Sequence, residues 1–262
     1  MNKYILEKYC PFKTIENCYI LKNQISTEKY LLYSSSDINY SLKIKENGYI
    51  PKSGLIFQNI IKDIVKGKKV LDLGAGQLGI IGIHSLLSGA SNVTAVDIDC
   101  ECVEWLNVLI KENDFKNIET KTSNLFENLS DEKFDIIFSN PPQMPMINGN
   151  FHDSGGIDGR DYILKILKYS INHLNENGEV YILIFDFLGT TIKTNSNTTI
   201  IDIAKDIGYS QVEIVSETPK IIKENSVTFQ NLEYINQIYP YYTFKEINDN
   251  LYFNIQIVKF LK

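Results

Sequence analysis

From residue 69 onward the chain alternates two hydrophobic rhythms. Short apolar runs at 69–76, the first with its glycine exit turn, 92–99, 134–139 and 179–187 read as buried strands, and a weaker one lies at 117–123. Between them, apolar residues recur every three or four positions at 77–88, 100–114, 158–178 and 198–208, which reads as helices. Gly89 and Gly178 stop two of these helices, and Asp158 and Asp161 sit in the first turn of one. Strands Gln211–Ser216 and Tyr252–Lys262 complete the set. Strand and helix alternating at this spacing predict an α/β fold with a doubly wound parallel sheet. Ligands in such sheets bind at the carboxyl ends of the strands. The residues after each strand are therefore candidates: Asp72 to Gly79, Asp97, Asn124 and Asn140 to Gln143.

The first 47 residues follow another pattern. Tyr19–Leu21 and Tyr30–Tyr33 read as short strands, so this region is expected to be a small β-containing cap on a domain spanning 48–262. A Gly-Tyr-Ile-Pro turn at 48–51 leads into an amphipathic helix expected over Ser53–Val65. The polar, tyrosine-rich stretch 217–250 reads as an insertion before the last strand, with no role assigned to it.

Composition narrows the setting. No run of eighteen apolar residues occurs, and the first ten residues hold Glu7 and Lys8 where a signal peptide needs an apolar stretch, so a cytoplasmic location is expected. The formal net charge of −6 weighs against a nucleic-acid backbone as partner. Cys10, Cys18, Cys100 and Cys102 form no C-x-x-C pair and only 3 histidines accompany them, so no metal site is expected.

The turn Asp72-Leu73-Gly74-Ala75-Gly76-Gln77-Leu78-Gly79 follows a strand and opens a helix. Glycines there let the backbone pass close to a ligand. A dinucleotide would want such a turn too, but Asp72 would repel a pyrophosphate and suit a cationic ammonium group. Asp97 ends the next strand, where a carboxylate can accept from both hydroxyls of a ribose. Asn124 and Leu125 follow the third strand, where an amide can meet an adenine amino group while an apolar neighbour packs on the ring.

Asn140-Pro141-Pro142-Gln143 is the most informative segment. Each proline fixes φ and disfavours helix at the residue before it, so the loop has a rigid shape. The Asn140 side-chain oxygen and the Pro141 carbonyl are both acceptors, and prolines offer no competing N–H. Two fixed acceptors suit a planar N–H₂ group, aiming its developing lone pair at an electrophile by orientation alone. His152, with Phe151 and Asp153, lies in a segment able to cover such a pocket, where it could orient a substrate.

With VLDLGAGQLG at 70–79, AVDID at 95–99, SNLF at 123–126 and FDIIFSNPPQ at 134–143, the chain resembles class I S-adenosylmethionine-dependent methyltransferases. Within them it looks most like the Asn-Pro-Pro group, which includes the release-factor glutamine methyltransferases; SGGIDGR at 154–160 adds to the likeness. The resemblance implies a seven-stranded Rossmann-like methyltransferase sheet and S-adenosyl-L-methionine as cofactor. It implies that Asp72, Gly74, Ala75 and Gly76 line the methionine end, that Asp97 and Ile98 hold the ribose, that Asn124 and Leu125 hold the adenine, and that Asn140 touches both cofactor and acceptor. Pro51 stands where the family often has a proline near the acceptor. Three departures stand out: Gln143 replaces an aromatic, the N-terminal region is too short and β-like for a helical substrate-gripping domain, and Asn124 replaces a common acid.

These features order the expected functions. N-methylation of a small metabolite or peptide comes first, favoured by the acidic charge, by Gln143 as a hydrogen-bonding substrate contact, and by the short cap. Protein glutamine N-methylation follows, favoured by the SGGIDGR match, then RNA adenine N-methylation. A non-catalytic S-adenosylmethionine-binding scaffold is the alternative from another class.

Overall fold

The computed structural model describes residues 4–9, 18–46, 48, 50, 52–150, 152–191 and 198–262. Its fold is mixed α/β, with a large, parallel-rich sheet and a separate four-stranded antiparallel sheet at the N-terminus. The chain divides into two units, Met1–Phe138 and Ser139–Lys262.

The first unit opens with β1 (Tyr4–Lys8), β2 (Cys18–Asn23), β3 (Lys29–Ser34) and β4 (Asn39–Ile44), antiparallel in that order. A 3₁₀ turn at Ser53–Phe57 runs into α1 (Gln58–Ile64), where a single helix from Ser53 to Val65 was expected. Then come β5 (Lys69–Leu73), α2 (Ile80–Leu87), β6 (Asn92–Asp97), α3 (Cys100–Glu112), β7 (Ile118–Thr122) and β8 (Phe134–Ser139). Strand order here is β8-β5-β6-β7. The parallel register sets Leu73 beside Val96 and Asp97 beside Thr122, so β5, β6 and β7 end nearly flush.

In the second unit α4 (Asp161–Ser170) is shorter than its apolar period suggested. After a 3₁₀ turn the chain enters β9 (Leu174–Phe185), which begins five residues before the expected Glu179, although its pairing with β12 starts at Glu179; Asn177 within it takes a left-handed φ of 58°. α5 (Ile200–Ile207) has a Thr199–Asp202 capping box. β10 (Gln211–Ile221) and β12 (Asn250–Leu261) are both longer than expected, and antiparallel order runs β10-β12-β9. Between them α6 (Val227–Gln230), α7 (Leu232–Ile238) and β11 (Lys245–Ile247), which pairs with β12, make up the tyrosine-rich insertion. Among the described residues no helix is long and apolar enough to cross a membrane.

The N-terminal sheet docks through polar as well as apolar contacts. Gln58 Nε2 donates to Tyr40 Oη at 2.6 Å, and Trp105 Nε1 donates to the Lys43 carbonyl at 3.2 Å. The His84 ring of α2 meets Tyr33 edge-on, with centroids 5.0 Å apart. His84 is 1% exposed and its Nδ1 has no partner, so burial pushes its pKa down to about 4. The folded state therefore disfavours the charged ring, and the stability this gives is present above pH 6.5 and lost as pH falls toward 4. Between pH 7 and pH 5 urea unfolding is expected to lose about 2 kcal/mol more for the wild type than for His84→Leu. Equal losses in the two proteins would contradict this account of His84.

Candidate active site

In the first unit the flush strand ends bring three loops together. Gly74 and Ala75 N–H both donate to the Val96 carbonyl at 2.9 Å. Asp97, half-buried, accepts Gly76 N–H on Oδ2 at 2.7 Å and Asp99 N–H on Oδ1 at 3.0 Å. Its carbonyl accepts Ser123 N–H at 2.8 Å, which ties in the loop after β7. Gly74 and Gly76 have φ of 82° and 62°, and a Cβ added at either would meet no atom within 4 Å. The turn thus faces open space with a backbone that side-chain-bearing residues rarely adopt.

Around this opening Ile98 stays 44% exposed, an unusual position for a bare aliphatic residue next to a carboxylate. Leu125 is held at φ 50° while Ser123 Oγ donates to its carbonyl at 2.8 Å. Asn124 is exposed, and its Nδ2 donates to Glu127 Oε1 at 2.8 Å. An open glycine cradle, a carboxylate with lone pairs to spare and flanking apolar side chains fit a nucleoside joined to an amino acid.

Asp72 lies in the interior of the first unit. Its carboxylate is 1% exposed and lies against α2, where Oδ2 accepts Gly82 N–H at 2.8 Å and Oδ1 has no partner. α2 starts at Gly79, which has no side chain to cap it, so Asp72 supplies the missing acceptor from the neighbouring strand. A buried carboxylate of this kind caps the helix that follows the glycine turn. Burial pushes its pKa up to about 7, the Gly82 hydrogen bond opposing and the Asp97 charge adding. Because this value lies above the unfolded one, Asp72 weakens the fold increasingly as pH rises from about 4 to 7. Asp72→Asn, which still accepts from Gly82, is expected to lose about 2 kcal/mol less than the wild type between pH 5 and pH 7 in urea unfolding.

The second unit holds the Asn-Pro-Pro-Gln loop. Asn140 and Pro142 are half-buried and Pro141 is buried. Gln143 departs from what was expected of a substrate contact. It is 3% exposed, its Nε2 donates to the Leu183 carbonyl at 2.9 Å and to the Pro141 carbonyl at 3.3 Å, and its Oε1 accepts Phe185 N–H at 2.8 Å. Both ends of the amide are engaged and the side chain is buried, so Gln143 anchors the loop to β9 and holds the Pro141 carbonyl.

SGGIDGR packs directly on this anchor. A Cβ at Gly155 would lie 2.6 Å from Gln143 Cα, and one at Gly159 2.6 Å from the Gln143 carbonyl oxygen, so both positions need glycine. Met144 N–H donates to the Asp153 carbonyl at 2.8 Å and Gly155 N–H to the Met144 carbonyl at 2.9 Å, closing the loop on itself. His152 is exposed, with its N–H on Asn150 Oδ1 at 2.9 Å. Pro51 and Phe151 lie outside the described residues. Among the described residues no group of three or more His, Cys, Asp or Glu is placed to hold a metal ion.

Several residues around the loop escaped the sequence argument. Arg160 is 3% exposed and donates Nη1 to the Thr198 carbonyl at 3.4 Å. Tyr234 Oη donates to the Ile157 carbonyl at 3.1 Å, Tyr239 Oη to the Asp158 carbonyl, and Tyr242 Oη to Asp186 Oδ1 at 2.7 Å. The density of tyrosines in an otherwise polar insertion was the only available signal.

A family profile described as the methyltransferase small domain matches residues 51–221. The chain belongs to this family. It is a methyltransferase that uses S-adenosylmethionine. A protein of Methanocaldococcus jannaschii, assigned as a protein N5-glutamine methyltransferase, is 35% identical over 54% of this chain and 74% of its own length. The release factor glutamine methyltransferase of Rhodopirellula baltica is 26% identical over 68% of this chain and 65% of its own length. The ribosomal protein uL3 glutamine methyltransferase of Francisella tularensis is 30% identical over 57% and 53%. A ribosomal protein L11 methyltransferase of Lactobacillus johnsonii matches over only 36% of its length, so the chain spans between about a third and three quarters of these relatives. The 16S rRNA N2 G1207 methyltransferase of T. thermophilus, solved with AdoMet and guanosine, shares the fold at a TM-score of 0.52 and 14% identity, over 97% of this chain and 57% of that one.

In this methyltransferase the Gln143 amide bridges buried backbone. Gln143→Leu would leave the Leu183 carbonyl and Phe185 N–H unpaired and is expected to destabilise the protein by about 2–4 kcal/mol in urea unfolding. A loss below about 0.5 kcal/mol would mean that the anchor is not formed.

Proposed function

We propose that this methyltransferase acts on the side-chain amide nitrogen of a glutamine in a protein substrate. The observation that carries this reading is the rigid Asn140-Pro141-Pro142 loop, whose Pro141 carbonyl is held by Gln143. Three of the relatives bear names as glutamine methyltransferases, which supports a carboxamide as acceptor. A small metabolite had been favoured through Gln143 as a substrate contact, and that support falls away with its side chain buried on β9. The net charge of −6 speaks against an RNA substrate.

Gly74, Ala75 and Gly76 would pass along the cofactor, Asp97 would accept from its ribose hydroxyls, and Ile98, Asn124 and Leu125 would flank its adenine. When bound, the cofactor supplies an electrophilic methyl group on a sulfonium. An amide nitrogen is a poor nucleophile because its lone pair is conjugated. The Asn140 side-chain oxygen and the second lone pair of the Pro141 carbonyl would each accept one N–H, turning the nitrogen so that its lone pair develops toward the methyl carbon. Those acceptors also stabilise the positive charge that grows on nitrogen in the transition state. The proton is acidic once the new bond forms, so water can take it and no strong base is required.

The test is methyl-labelled S-adenosylmethionine added to the pure protein with an extract of its source cells. Label is expected in protein and, after hydrolysis, in N5-methylglutamine; label confined to RNA or to small molecules would overturn the reading. Asn140→Ala is expected to lower transfer at least about a hundredfold while the Kd for S-adenosylhomocysteine, read by calorimetry, stays within a few fold. Asp97→Ala is expected to weaken that same Kd at least about tenfold; an unchanged Kd would remove Asp97 from the cofactor site.

A further inference from the structure

We propose that the tyrosine-rich insertion is the brace of the acceptor loop, acting through Gln143 and Asp186. This inference rests on the reading of Asn140–Gln143 as the acceptor loop. Three hydroxyls of the insertion reach the same part of the second unit: Tyr234 donates to the Ile157 carbonyl, Tyr239 to the Asp158 carbonyl and Tyr242 to Asp186 Oδ1. The first two hold the 157–158 turn, whose flanking glycines Gly155 and Gly159 lie against the Gln143 backbone. The third holds the residue that follows Phe185, and Phe185 N–H is itself bound to Gln143 Oε1. The contacts therefore close a ring: insertion, 157–158 turn, Gln143, end of β9, Asp186, and back to the insertion.

The ring is anchored in apolar and polar packing. Tyr239 is 4% exposed, and Tyr242 stacks edge-on with Phe187 and with Phe244, at 6.0 and 5.0 Å between centroids. Asp186 also accepts from the backbone and side chain of Asn254, and burial raises its pKa above the ordinary value against these hydrogen bonds. A carboxylate that costs desolvation and is spent on tethering an insertion is a positioning residue. Where an aromatic residue in the loop would stack on its substrate, this chain has a glutamine that only anchors, and the insertion supplies the stiffness from outside.

Hydrogen exchange on the intact protein tests this, because it reads the loop without substrate. In Tyr239→Phe/Tyr242→Phe, which keeps both rings, the amides of Met144, Met146, Gly155 and Asp161 are expected to exchange about five- to tenfold faster. Those of Gly74, Ala75 and Gly82 should not change, nor should the Kd for S-adenosylhomocysteine. Label transfer into protein of the source extract is expected to fall about tenfold. Asp186→Ala should behave likewise, while Asp186→Asn, which still accepts from Tyr242, should restore slow exchange and turnover. Unchanged exchange in the tyrosine variant overturns the brace. Faster exchange with full turnover overturns its positioning role. Full turnover in Asn140→Ala as well would show that the acceptor-loop reading has failed, and the inference with it.

Discussion

A glutamine side chain standing in for a peptide group organises the second unit of this protein. Gln143 donates to the Leu183 carbonyl and accepts from Phe185 N–H, which is the pattern one residue of a parallel strand would make opposite Ile184. Leu183 and Phe185 are buried, and backbone groups there must find partners. An aromatic or aliphatic residue at position 143 would leave both unpaired. The demand for satisfied hydrogen bonds at the end of a buried strand thus fixes the conformation of Asn140-Pro141-Pro142-Gln143. It also fixes the course of the glycines that press on it.

The same demand shapes the loops of the first unit. Asp97 receives the Gly76 and Asp99 amides, its carbonyl receives Ser123, and Asp72 receives the amide of Gly82. Every loop at the carboxyl ends of β5, β6 and β7 is tied by main-chain hydrogen bonds to its neighbour. Burial pushes two groups of this unit toward their neutral forms, Asp72 up to about 7 and His84 down to about 4. They pull the pH dependence of stability in opposite directions, Asp72 weakening the fold as pH rises and His84 as it falls. Asp72 binds the first turn of α2 through Gly82 and His84 lies on that helix, so the helix that opens at the glycine turn carries both shifts.

Two kinds of acid and amide are therefore easily confused. Asp97 and Gln143 follow buried strands, as any ligand-binding residue would. Asp97 remains half-buried with lone pairs free, and Gln143 does not. Burial separates a side chain with lone pairs to spare from one spent on neighbouring backbone.

The sequence by itself determined the strand–helix alternation, the glycine turn, the carboxylate at the end of β6 and the proline-rigid loop after β8, because periodicity, backbone freedom at glycine and fixed φ at proline are local properties. It also carried the family resemblance that the profile match upholds. It did not determine where α4 yields to β9, since the apolar spacing read as helical runs on past Ser170, where the helix ends. Nor did it determine which way Asp72 and Gln143 point, or that Tyr234, Tyr239, Tyr242 and Asp186 meet. Those are contacts between segments 40 to 81 residues apart for Gln143 and the tyrosines. A side chain's choice between ligand and backbone depends on which unpaired groups the finished fold leaves beside it, and only the tertiary structure decides that.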